Sequence, residues 1–176
     1  DAGVDVSCVH RAGSTGSIVV LVDGTGERTM LTDRRWSAHV PDPEPSWLDG
    51  VRVLHVPFYS FVDPPLSETA DVLFDWAHER GIAVSVDLSS AAVLESFGID
   101  DAREFIERCR PEVVFANADE ALVMDLDRPL GRSVTVVKRG PEAAIVRRVG
   151  FEPIEVPAVA VDRVVDVHAD PERPPA

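Results

Sequence analysis

Residues 112–140 constrain the fold of this chain more than any other stretch. Residues 113–116 (Val-Val-Phe-Ala) form an apolar run typical of a buried strand, and Asn117 follows where a helix would begin. Residues 134–138 (Val-Thr-Val-Val-Lys) form a second such run, which stops just before Gly140. Polar groups that follow buried parallel strands gather at one edge of an open α/β sheet, where such sheets bind ligands. We therefore expect a ligand crevice at this edge.

Asn117 and Glu120 allow two interpretations. In the first they form a capping box, in which Asn117 accepts a helix amide and Glu120 reaches back to the Asn117 amide. In the second they belong to a phosphate and magnesium site, because free amides and the helix dipole favour anions at a helix N-terminus. The Asn-x-x-Glu spacing alone does not choose between them.

Composition and charge narrow the class of protein. The 176 residues are 45% hydrophobic and 27% charged, as expected for a globular domain. The formal net charge of −14 argues against nucleic acid or an anionic membrane as a partner. No run approaches the roughly 20 apolar residues of a membrane helix. Cys8 and Cys109 are too few for a disulfide scaffold and match no zinc pattern, so we expect a reducing, cytoplasmic location.

The remaining pattern alternates strands with helices. Strands are predicted at 17–22, 27–32, 51–56 and 82–86, a terminal hairpin at 143–156, and helices from Ser67, over 90–96 and from Asp101. Alternation of this kind predicts an α/β fold with a three-layer, mostly parallel sheet and right-handed crossovers. The hairpin over 17–32 does not fit the alternation, so we expect it to project as a β-hairpin lid.

These predictions divide the chain into four parts. Residues 1–40 hold a lead-in and the hairpin, and residues 41–50 form a Pro-rich connector. Residues 51–166 form the α/β core. Residues 167–176 form a Pro-rich tail, which we expect to be disordered.

Five pieces of the sequence, in the same order, resemble the ribokinase-like (PfkB) carbohydrate kinases. They are residues 14–17 with 23–29, 54–60, 85–88, 115–121 and 136–140. The first is similar to that family's lid hairpin, the fourth to its Asn-x-x-Glu motif and the fifth to its nucleotide-binding strand and turn. The resemblance implies a ribokinase-like, Rossmann-like core that transfers the γ-phosphate of ATP to a hydroxyl of a sugar or sugar-like molecule.

The resemblance also implies roles for individual residues. Asn117 and Glu120 would organise magnesium and phosphate, with Glu120 acting on the metal through water. Lys138 and Gly140 would line the nucleotide cleft, and Asp87 would lie near the transferred phosphate.

A further set of residues would belong to the lid that closes over the substrate. These are Thr15, Gly16, Ser17 and Arg28. Such a lid excludes water, which would otherwise take the phosphoryl group.

Departures from the family pattern weaken the expectation of turnover. The family's sugar-binding start has no counterpart here, so an upstream portion is expected to be missing. The Gly-rich loop with the catalytic Asp is degenerate, and that position is filled by Asp170 or Glu172 depending on the alignment. Without its glycines the loop cannot aim backbone amides at phosphate. We therefore expect this chain alone to be inactive.

Two alternatives stay open at this point. One is a non-catalytic kinase-fold remnant or interaction module. The other is an unrelated doubly wound binding domain in which Asn117 is only a helix cap. Missing upstream strands would also expose a sheet edge, so we expect a homodimer through the lid or the sheet edge.

Overall fold

A computed structural model of the chain describes residues 16–24, 28–33 and 40–160. The described residues divide into two units, one of residues 40–158 and one containing 16–24 and 28–33. Cys8, Thr15, Asp170 and Glu172, which the sequence singled out, lie outside the described residues. Within those residues we find no helix with the length and apolarity needed to cross a membrane.

The smaller unit contains the predicted hairpin. Strands β1 (Ser17–Val22) and β2 (Arg28–Asp33) pair antiparallel, with Ser17 opposite Asp33 and Val22 opposite Arg28. Side chains on both faces of the ribbon are exposed; Val19 is 57% and Met30 60% exposed. The hairpin prediction is confirmed, whereas its action as a lid stays a prediction.

The larger unit is built on a six-stranded mixed sheet in the order β3-β4-β5-β6-β7-β8. The strands are β3 (Val53–Pro57), β4 (Ala83–Asp87), β5 (Val113–Asn117), β6 (Val134–Lys138), β7 (Ala144–Arg147) and β8 (Ile154–Val156). The first four are parallel, and the last two are antiparallel additions. The predicted α/β class, the mostly parallel sheet and the terminal hairpin are confirmed.

Within the described part of the chain, four α-helices flank this sheet. They are α1 (Leu66–Glu79), α2 (Ala91–Phe97), α3 (Ile99–Cys109) and α4 (Ala118–Val123). Two predicted starts are wrong. Helix α1 begins before Ser67, whose amide already bonds to the Asp63 carbonyl. Helix α3 begins before Asp101, which lies in its first turn, where the helix dipole favours a carboxylate.

A buried aromatic cluster joins the helices to the sheet. Phe58 lies in a short 3₁₀ helix (Phe58–Phe61) directly after β3 and is completely buried. Its ring meets those of Phe97, Phe105 and Phe61 edge-on, with centroids 5.2, 6.1 and 6.2 Å away. Such contacts fix the backbone at the carboxyl end of β3, because aromatic packing is strongly directional.

Candidate functional site

The carboxyl ends of three neighbouring strands bring the predicted polar residues together. Asp87 ends β4, Asn117 ends β5 and Lys138 ends β6. The register places Asn117 opposite Lys138 and Asp87 opposite Phe115, two residues before Asn117. The Lys138 Nζ donates to Asp87 Oδ2 at 2.6 Å, so this ion pair spans the end of the middle strand. Lys138 is also the only lysine in the chain.

The Asn117 motif forms a complete capping box at the start of α4. Asn117 Oδ1 accepts from the Glu120 amide at 2.8 Å. In return, Glu120 Oε2 accepts from the Asn117 amide and Glu120 Oε1 from the Asn117 side-chain Nδ2, both at 2.8 Å. Glu120 is only 2% exposed. The first of the two sequence interpretations therefore describes the local geometry, and both carboxylate oxygens already have a donor.

Burial makes Glu120 electrostatically sensitive to its neighbours. Desolvation raises its pKa above the ordinary 4.5, and the hydrogen bond from the Asn117 backbone lowers it. The Asp87 carboxylate raises this pKa further, whereas the Lys138 ammonium lowers it. Glu120 therefore senses the charges of the ion pair, and the four residues form one electrostatic group.

Gly140 completes the edge two residues after Lys138. Its φ of +61° lies in the left-handed region, and a Cβ built there would meet nothing within 4 Å. Arg139 holds the same turn through a 2.7 Å bond from Nε to the Ala143 carbonyl and an ion pair with Glu142 at 3.4 Å. The glycine therefore leaves open space beside Lys138. We call Asp87, Asn117, Glu120, Lys138 and Gly140 the carboxyl-end site.

Comparison with known proteins identifies the fold. The structure matches adenosine kinase from Sinorhizobium meliloti with a TM-score of 0.74 and 22% sequence identity, over 86% of this chain and 49% of that one. The fold is ribokinase-like.

Two further solved structures share it. The Anopheles gambiae adenosine kinase in complex with P1,P4-di(adenosine-5) tetraphosphate gives a TM-score of 0.70 at 18% identity, over 86% of this chain and 52% of that one. A protein assigned as ribokinase II from E. coli, in complex with ATP and Mg²⁺, gives a TM-score of 0.65 at 18% identity, over 86% of this chain and 52% of that one. The chain thus spans about half the length of the structures it matches. No protein-family model and no curated protein sequence matches it.

Within this ribokinase-like fold, the donor set at the carboxyl-end site suits magnesium held with a phosphate ligand. Among the described residues, no group of three or more His, Cys, Asp or Glu side chains could hold a metal alone. Mg²⁺ keeps several waters and commonly binds through one or two carboxylates plus substrate phosphates. Asp87 and Glu120 supply two carboxylates, and each oxygen of Glu120 keeps a lone pair for a bridging water.

The predicted lid residues belong to the smaller unit, and the histidine of β3 has structural contacts. Gly16, Ser17 and Arg28 belong to the hairpin unit. His55 is exposed on β3, where its Nδ1 lies 2.9 Å from Ser85 Oγ and its ring meets Phe115 edge-on. These contacts account for His55 as an edge-strand residue.

One residue that contacts the carboxyl-end site was missed by sequence reasoning. Ser89 follows β4, and its amide donates to Asp87 Oδ1 at 2.9 Å. Its hydroxyl bridges the Asp87 carbonyl and the Phe58 amide, at 2.9 and 3.1 Å. A serine two residues after an acidic residue is a weak turn signal, and no sequence pattern links it to Phe58.

A second cluster of ionisable side chains lies between α1 and α3. These side chains line a surface groove of about 300 Å³; they are Asp71, Asp75, His78, Arg108, Cys109 and Arg110. We call it the α1–α3 groove. His78 Nε2 donates to the Cys109 carbonyl at 2.8 Å, and the Arg108 guanidinium lies 5.1 Å from the Phe105 ring centroid.

Proposed function

We propose that the carboxyl-end site binds Mg·ATP and that the chain is part of a ribokinase-family kinase, which transfers the γ-phosphate to a sugar or nucleoside hydroxyl. One observation carries this proposal: two carboxylates, an amide side chain, an ammonium group and a glycine lie together at the carboxyl ends of adjacent parallel strands. Ligands of open α/β sheets bind at this edge. A solved structure of the same fold carries ATP and Mg²⁺, which supports the choice of ligand.

Each side chain has a chemical task in this proposal. Lys138 presents an ammonium with three donors, of which one stays on Asp87 and the others can pair with phosphate oxygens. Asp87 and Glu120 would hold the magnesium ion, Glu120 through water, while Asn117 fixes the Glu120 carboxylate. Gly140 leaves room for a phosphate or ribose beside the β6 end. Magnesium supplies positive charge that offsets the charge of the phosphate oxygens.

Binding without turnover is the expected behaviour of these 176 residues alone. Phosphoryl transfer depends on positioning and on electrostatic stabilisation of the transferred group. A positioned general base contributes typically ~10² to 10⁴ in rate. The resemblance assigns that task to Asp170 or Glu172, in a stretch of sequence that lacks the family's glycines. Activity with a sugar would therefore require residues beyond those of the carboxyl-end site.

The test is calorimetric titration of the chain with ATP, with and without magnesium. The matched variants are Asn117→Ala with Glu120→Ala in the site, and Asp71→Ala with Asp75→Ala in the α1–α3 groove. We expect Mg-dependent binding by the wild type and the groove variant and none by the site variant. Circular dichroism checks that the site variant still folds, and Lys138→Met provides a second loss-of-site variant that leaves the capping box intact.

A second candidate function is a non-catalytic interaction module that keeps the kinase fold. The closed capping box favours it, because all three hydrogen bonds between Asn117 and Glu120 are made without any ligand. A wild-type chain that binds no Mg·ATP at millimolar concentration would select this second function. Asn117 and Glu120 would then act only as a helix cap.

A further inference from the structure

The turn after β4 has an unusual backbone. Ser89 adopts a φ of +68°, in the left-handed region that side chains other than glycine rarely occupy. Such strain persists only where surrounding contacts hold it. Here the Ser89 hydroxyl donates to the Asp87 carbonyl and accepts from the Phe58 amide. Since Phe58 is completely buried in the aromatic cluster, it gives the turn a rigid anchor.

This backbone conformation sets the orientation of the Asp87 carboxylate. The Ser89 amide donates to Oδ1 at 2.9 Å, and Lys138 Nζ donates to Oδ2 at 2.6 Å. The two oxygens are therefore divided between the turn and the lysine. If the hydroxyl contacts were lost and the turn relaxed, the amide would move away from Oδ1 and the carboxylate could rotate, because Asp87 is only partly buried, with 24% of its side chain exposed.

We infer that Ser89 is a positioning residue, which holds Asp87 against Lys138 and thereby sets the affinity of the carboxyl-end site for Mg·ATP. The second half of this inference rests on the proposed function; the first half does not. Ser89 touches neither phosphate nor metal in this scheme. It acts through the orientation of Asp87.

The first experiment uses the single lysine as a reporter. In the protein with ¹⁵N-labelled lysine, the side-chain ammonium gives one resonance, that of Lys138. The variants are Ser89→Gly, Ser89→Ala and Asp87→Asn. Glycine tolerates a φ of +68° and removes the whole CH₂OH side chain, whereas alanine removes only the hydroxyl and keeps the strain. We expect the hydrogens of the Lys138 ammonium to exchange several-fold faster in Ser89→Gly than in the wild type, and faster still in Ser89→Ala. The exchange rate in Asp87→Asn should equal that in Ser89→Ala.

The control is Ser90→Ala, a neighbouring serine that caps α2 by accepting from the Val93 amide. Its lysine resonance should match the wild type even if the cap loss lowers stability. An unchanged lysine resonance in Ser89→Gly would overturn the inference. The glycine variant keeps this test meaningful if the alanine variant fails to fold.

The second experiment is a double-mutant cycle on Mg·ATP affinity. Ser89→Gly should weaken binding about 5-fold in the wild-type background, within the usual range for coupled neighbours. In the Asp87→Asn background the same change should have no further effect. Additive effects would mean that Ser89 acts independently of Asp87 and would overturn the inference. Absence of Mg·ATP binding by the wild type would overturn the proposed function and the affinity claim, while the lysine resonance would still decide whether Ser89 positions Asp87.

Discussion

The carboxyl-end site and the α1–α3 groove both gather acidic and basic side chains, but they are organised differently. At the carboxyl-end site every charged group is bonded: Lys138 to Asp87, and Glu120 to Asn117. In the groove, no ion pair joins Asp71 or Asp75 to Arg108 or Arg110, all four being described residues. These four groove residues are also exposed, whereas Glu120 is buried.

The difference separates a candidate binding site from an ordinary solvated surface. Charges on exposed side chains interact weakly and contribute little to stability, because water and salt screen them. Side chains that are hydrogen-bonded to one another at the ends of strands have fixed positions, and recognition of a phosphate requires fixed positions. The hydrogen bonds that connect its residues and the burial of Glu120, rather than the number of ionisable residues, therefore single out the carboxyl-end site.

The largest expected contrast is in stability. Asn117→Ala removes the helix cap and one donor to the buried Glu120 carboxylate, so we expect a loss of roughly 2–4 kcal/mol. Asp75→Ala in the groove should change stability by less than about 0.5 kcal/mol. Urea unfolding followed by circular dichroism measures both. Equal losses for the two variants would contradict the contrast.

The groove's thiol should be chemically quiet. Burial raises the pKa of Cys109 from 9.0 to about 11. In a Cys8→Ser chain, reaction of Cys109 with iodoacetamide at pH 8 should be roughly 100-fold slower than that of an ordinary peptide thiol, because only the thiolate reacts. The rate should rise about tenfold per pH unit up to about pH 11. A rate at pH 8 equal to that of a free peptide thiol would show that the groove does not suppress the thiolate.

Nucleotide affinity gives the next contrast. Lys138→Met should weaken Mg·ATP binding about 30-fold, as expected for loss of a charge-assisted contact. Arg108→Met, which removes a cation from the groove, should change the affinity by less than about 2-fold. Calorimetry on both variants checks this. Comparable losses would indicate a general effect of net charge rather than a located site.

The smallest expected effect is the pH dependence of stability. The pKa of Glu120 is raised on folding, so the folded chain binds this proton more tightly than the unfolded chain. Stability relative to Glu120→Gln should be highest below about pH 4.5 and fall as the pH rises through the raised value. The pKa of Asp71 is also raised, chiefly by desolvation, but exposure should make the Asp71→Asn contrast weaker. Urea unfolding midpoints measured from pH 4 to pH 8 compare the two pH dependences. A steeper pH dependence of stability for Asp71 than for Glu120 would contradict the prediction.

Local sequence patterns predicted those strands and helix ends that are determined by residues close together in the sequence. The apolar runs predicted β5 and β6, and the Asn-x-x-Glu spacing gave the cap at α4 as one of two interpretations. The two helix starts were wrong by one and two residues, because Ser67 and Asp101 suit a first turn as well as a cap. Ser89 could not be found, because its role depends on a positive φ and on the Phe58 amide, 31 residues earlier. The pairing of Lys138 with Asp87 joins residues 51 apart and depends on strand order, which the resemblance implied but no local pattern shows.

The lone lysine makes the site a unique cleavage point. A protease specific for lysine can cut this chain at one peptide bond only, between Lys138 and Arg139. That bond lies where β6 ends, so one cut separates β3–β6 from the antiparallel pair β7 and β8. A phosphate ligand seated beside Lys138 would shield this bond. Limited proteolysis would then report occupancy of the site as a ratio of two fragments to the intact chain.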